Sequence, residues 1–202
     1  MTPPETLPLF KAAVENVRAI DHGIRIFRQD LNKRLCRSST EDLERYTRIY
    51  GMLFCTWAEA CLLRIIYTPY GFSAGQISTV LNARTVEDKW TTCLLFAFHN
   101  SEIREQKSLN QAVGPTLERL IANIITTPAQ IRNKIAHGQW KQPFNSNSTA
   151  LNPDTAILMQ AADVIEIDRW FFVFAEFAQI VEDGIESPER AFRHVLIASR
   201  MS

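Results

Sequence analysis

The feature that most constrains this chain is the spacing of its apolar residues. Phe10, Val14, Val17, Ile20, Ile24, Phe27 and Leu31 recur in steps of three and four. Such steps lay one continuous stripe along a helix, here over roughly 8–36. Ser38-Ser39-Thr40-Glu41 follows, a serine with a glutamate three residues on. That is a capping-box pattern, and it predicts a second helix over about 40–67. From Met52 to Leu63 the second helix is apolar almost all round, as a helix in the middle of a bundle must be. Glu59 is the one charge in that span, and a carboxylate enclosed there needs a partner.

Thr68-Pro69-Tyr70-Gly71 closes the second helix, and a short helix fits 75–82. Thr85-Val86-Glu87-Asp88 starts a third long helix, running to about 105. Gly114-Pro115 opens a fourth, and Ser187-Pro188 a last one. Between them Trp170, Phe171, Phe172, Phe174 and Phe177 crowd a helix that ends at Gly184. That aromatic density suits either core or a dimer surface. The fold class is therefore all-α: an up-and-down helical bundle of four to five core helices plus a short motif helix, as a single domain over residues 1–202.

Charge narrows the function. Lys+Arg and Asp+Glu balance at 22 each, for a net charge of +0. A protein that coats nucleic acid through phosphate charge is basic, so any RNA contact here must be local. The four cysteines, Cys36, Cys55, Cys61 and Cys93, form no CxxC pair and fall on apolar helical patterns. They read as buried, reduced thiols of a cytoplasmic protein. His99 has no partner at metal-ligand spacing and reads as a surface or half-buried histidine. No cofactor or metal is expected. Neither a secretion signal nor a membrane-spanning segment is expected from the hydropathy pattern.

Chemistry concentrates in Ile131-Arg132-Asn133-Lys134-Ile135-Ala136-His137-Gly138. Upstream, Thr127-Pro128 has the form of an N-cap followed by proline at the first helical position. That predicts a break from the preceding helix and a new, short helix held at an angle. Gly138 supplies its stop. Asn133 and His137, four apart, share a face. Arg132 starts from a different face, with a side chain long enough to swing toward the helix end. An imidazole titrates near neutrality and suits acid–base work. A guanidinium is permanently charged and donates parallel hydrogen bonds to a phosphate. Beyond the glycine, Pro143, Asn145, Ser146, Asn147, Ser148, Asn152 and Pro153 are turn formers. They predict a flexible loop over about 141–153, with flanks 139–144 and 155–159 pairing as a small β-hairpin.

The run RNKIAHGQW, late in an all-helical chain, resembles the signature of the HEPN superfamily. There an Arg and a polar residue are followed by a His, as Arg132, Asn133 and His137 are here. The resemblance implies a metal-independent endoribonuclease acting as a toxin or defence effector on tRNA or mRNA. It implies a homodimer whose composite cleft holds two copies of the motif. Arg132 would take the scissile phosphate, His137 would act as acid or base, and Asn133 would orient one of them. Many HEPN domains carry an acidic residue in their second helix, which places Glu59 beside the motif in a supporting role. Lys134 and Trp140 are candidate substrate contacts, with Lys134 alternatively facing water and Trp140 alternatively packed under the loop. The resemblance also admits an antitoxin or nucleotidyltransferase partner. The tyrosine that such a transferase modifies in some HEPN toxins is replaced here by Gln139, so that route of neutralisation does not carry over. The alternative is a non-catalytic HEPN module that binds a nucleotide or a protein partner.

Overall fold

A computed structural model describes residues 6–35, 37, 39–99 and 119–186. The start of the helix opened by Gly114-Pro115, the last helix from Ser187, Cys36 and the side chain of His99 fall outside them. The described residues are all helical apart from turns and loops. The helices are α1 (Thr6–Leu35), α2 (Thr40–Ile66), α3 (Ala74–Asn82), α4 (Val86–His99), α5 (Thr127–Ala136), α6 (Pro153–Ala161) and α7 (Val164–Glu186), with a π-helical turn at Ala122–Thr126.

Local chemistry sets most boundaries. The cap of α2 is Ser39, one residue later than the capping-box spacing predicts: Asp42 N–H donates to Ser39 Oγ at 3.2 Å. The shift has a reason, because Asp42 also accepts from the Ser39 hydroxyl at 2.8 Å, so the pair closes on itself. Ser73 and Gln76 form a full capping box at the start of α3. Thr85 and Asp88 do the same for α4, at 3.0 and 3.2 Å.

The second helix is the centre, in contact with α1, α4, α5 and α7. Phe27 packs on Tyr50 and Arg34 on Tyr46, so α1 and α2 run antiparallel. Tyr50 meets Phe171, Trp57 meets Phe174 and Arg64 meets Glu182, so α2 and α7 run side by side in the same direction. Phe54, Trp90, Phe174 and Phe177 are almost fully enclosed where α2, α4 and α7 meet. Each such side chain contributes about 1.5–3 kcal/mol by leaving water. The aromatic face of α7 is thus mainly core, with Phe172 and Ile165 left exposed. Among the described residues α2 alone is long and apolar enough to cross a bilayer, but 56% of that window is buried by its neighbours. Its apolar girth is explained by helices on several sides.

Two expectations fail around the motif. The expected break at Thr127-Pro128 is not a break: the helix continues through the π-helical turn into α5, with Thr126 and Thr127 both in helical conformation. Proline at 128 cannot donate to the carbonyl four residues back, and its ring would strike it. The wider turn relieves both problems, with Thr127 N–H donating to Ala122 O. Nor does 155–159 pair as a strand. Asn152 caps α6, accepting from Thr155 N–H at 3.0 Å, and Pro153 sits in the first turn. The hairpin is reduced to one antiparallel bridge, Phe144 to Leu151.

Candidate functional site

Two isoleucines set the orientation of α5. Ile131 and Ile135, four apart, are buried against the core. The opposite face therefore carries Gln130, Asn133, Lys134 and His137, residues three and four apart that stack into one stripe. The helix ends as the glycine requires. Gly138 sits at φ +78°. Its N–H donates to Ile135 O at 3.0 Å, and Gln139 N–H donates to Lys134 O at 2.9 Å. Those two bonds are a Schellman cap, which needs the left-handed residue that glycine supplies without strain. His137 occupies the last position before it, with its side chain exposed.

The stripe forms one wall of an open groove of about 810 Å³. The other wall is the segment after the helix. Side-chain hydrogen bonds tie it to the helix and to itself. Gln139 Oε1 accepts from Phe144 N–H at 2.7 Å, and Lys134 Nζ donates to Phe144 O. Asn145 holds Thr149 through both ends of its amide, at 2.9 and 3.0 Å. Asn152 N–H donates to Pro143 O at 2.8 Å. Asn145, Ser146, Ser148, Asn152 and Thr155 face the groove from this side. Lys134 therefore lines the groove with one of its three N–H donors spent on the loop, and its ammonium ties the loop to the helix.

Arg132 does not line the groove. It lies on the shoulder of α5, half-buried, and its Nη2 bonds Glu59 Oε1 on α2. Its Nη1 donates to Asn133 Oδ1 at 3.2 Å. Glu59 is thus where the second-helix reading put it, beside the motif. It is not the enclosed carboxylate that its apolar neighbours suggest, since its side chain is 43% exposed. Asn133 joins the two halves: its oxygen takes the guanidinium while its residue borders the groove.

Trp140 faces away from the groove. It is half-buried against the edge of the core and borders a separate cavity of about 180 Å³ with Glu41, Glu44, Arg45, Arg48 and Lys141. There Lys141 Nζ donates to Glu41 Oε1 at 2.8 Å and holds that carboxyl below its ordinary range. Trp140 thus packs at the edge of the core and does not line the groove beside His137.

Comparison with family models, curated proteins and solved structures finds no match to this chain. Function therefore rests on the motif and the geometry around it. Among the described residues no three His, Cys, Asp or Glu side chains converge as metal ligands would. The structure brings Asn133, Lys134 and His137 to one groove and holds Arg132 one face away. It adds Gln130, Ser146 and Ser148, which motif reasoning did not single out. The signal for Gln130 was present: it stands seven residues, or two turns, before His137.

Proposed function

We propose that this chain is a metal-independent endoribonuclease of the HEPN type, working in the cytoplasm as a homodimer and as a toxin or defence effector on tRNA or mRNA. The observation that carries the reading is His137: a solvent-reachable imidazole at a helix end, bordering a groove, with a guanidinium on the same short helix. The 2′-hydroxyl attacks phosphorus after giving its proton to one imidazole. A second imidazole protonates the departing 5′-oxygen, leaving a cyclic 2′,3′-phosphate and a 5′-hydroxyl. One His cannot hold both roles at the same instant, so the chemistry calls for the second copy's motif. Arg132 has five N–H donors. With one bond to Glu59 and one to Asn133, donors remain for a phosphate oxygen. Glu59 then serves to aim the guanidinium.

The test is cleavage of RNA in EDTA by wild type, His137→Ala and Arg132→Ala. Loss of a positioned acid or base costs about 10²–10⁴ in rate, and the loss in His137→Ala should fall in that range. Equal rates in all three proteins sink the assignment. One observation favours a second reading: Arg132 is paired with Glu59 and does not line the groove. In that reading the chain is a non-catalytic HEPN module binding a nucleotide or a protein partner, and Arg132 braces α2 against α5. It expects no cleavage, and a lower melting temperature or weaker self-association in Arg132→Ala.

A further inference from the structure

What borders the groove is unusual for a surface meant to hold a polyanion. It offers mostly side-chain amides and hydroxyls, with one imidazole, a single lysine and no carboxylate. One of that lysine's three N–H donors goes to the Phe144 carbonyl. A strand held by its phosphates needs several cations, and a strand held by stacking needs ring faces. Hydrogen bonds to base edges are what most of this lining is suited to make.

The amides are not equivalent. Asn145 spends both ends of its side chain on Thr149. Gln139 and Asn152 give their oxygens to Phe144 N–H and Thr155 N–H. Asn133 gives its oxygen to Arg132. Gln130 is exposed, borders the groove and has no side-chain hydrogen bond to another described residue. It alone presents an uncommitted carbonyl and an uncommitted NH₂ together. An amide with both ends free matches adenine, accepting from the 6-amino group and donating to N7. The pairing needs an exposed base, because the deep groove of an RNA duplex hides that edge from side chains.

We infer that Gln130 reads an unpaired adenine in the groove, with Asn133 supplying a further donor. The inference rests on the reading of this groove as an RNA site. Seven residues of helix place Gln130 about 10.5 Å along the axis from His137. The base it reads is therefore a near neighbour of the bond at His137, not the nucleotide being cut. Gln130 then determines where the chain is cut without taking part in the chemistry.

The experiment measures binding without cleavage. Short 2′-O-methyl oligouridines, with and without one central adenine, cannot be cut because the attacking hydroxyl is blocked. Fluorescence anisotropy with wild type should show the adenine oligomer bound about tenfold tighter, the discrimination expected of one bidentate pair. Gln130→Ala, at an exposed position where substitution leaves folding intact, should bring the two affinities together. Equal binding by wild type, a preference that survives Gln130→Ala, or no binding of either oligomer overturns the inference. Cleavage of ordinary RNA by wild type and His137→Ala is scored separately. Adenine preference without cleavage keeps Gln130's role and removes the nuclease, whereas cleavage without preference does the reverse.

Discussion

Replacing Gly138 by alanine isolates one physical term. The residue sits at φ +78°, and a Cβ built there meets nothing within 4 Å. Steric collision is therefore absent, and the cost is backbone strain alone. For an L-residue in the left-handed region that is about 1–2 kcal/mol. In a domain of this length each kcal/mol moves the melting temperature by about 2–4 °C. Gly138→Ala should thus melt about 2–8 °C lower than wild type, with an unchanged urea m-value. Gly138→Asn should lose less, because asparagine tolerates this conformation better than alanine. Thermal and urea unfolding followed by circular dichroism supply the numbers. Equal stability of all three proteins would mean that the cap does not hold the left-handed geometry. A loss beyond about 3 kcal/mol would mean that strain spreads past this residue, into the tied loop.

Two further outcomes follow from buried groups. Burial raises the Glu182 carboxyl above its ordinary value, with Arg64 pulling it back. A raised folded-state value means that the folded protein holds the proton more tightly than the unfolded chain does. Stability from this group is thus full below the ordinary carboxyl value and falls as pH rises through the raised one. Melting curves from acid to neutral pH should show wild type losing ground against Glu182→Gln; the opposite trend would mean that the Arg64 pair outweighs burial. Burial also pushes the Cys55 and Cys61 thiols up to about 12, and Cys93 further. These three should resist a disulfide reagent at pH 8 in the native protein and react on unfolding in guanidinium; rapid native labelling of any of them would contradict the packing.

Much of this architecture is legible in the sequence because helices advertise themselves through period and caps. The stripe from Phe10 to Leu31, the serine before α2 and the Thr85–Asp88 pair each report a local preference that the tertiary structure leaves in place. The stop at Gly138 is equally local. What misleads is chemistry with two solutions. Thr127-Pro128 is a good helix start in isolation, but a proline in a continuing helix can also be accommodated by a wider turn, and packing of Ile124 and Ile125 on one side and Ile131 on the other selects that solution. Asn152-Pro153 reads as loop, yet it is also a sound helix start, and α6 takes it. The polar run between reads as flexible from composition. Composition does not say that Gln139, Asn145 and Asn152 would spend their amides on backbone. Of the motif, adjacency in sequence placed Arg132, Asn133 and His137 on one helix, but only the position of α2 decides that Arg132 turns toward Glu59.

The widened turn at Ala122–Thr126 acts as a phase setting for everything after it. One residue is about 100° of rotation in an α-helix. A chain shortened by a single residue there, and rewound to ordinary pitch, would carry Gln130, Asn133 and His137 a quarter-turn or more around the axis and offer another face to the groove. Changes of length are tolerated where a loop can absorb them. Here none intervenes between the turn and the imidazole, so chain length over these few residues is as much a part of the site as the side chains themselves.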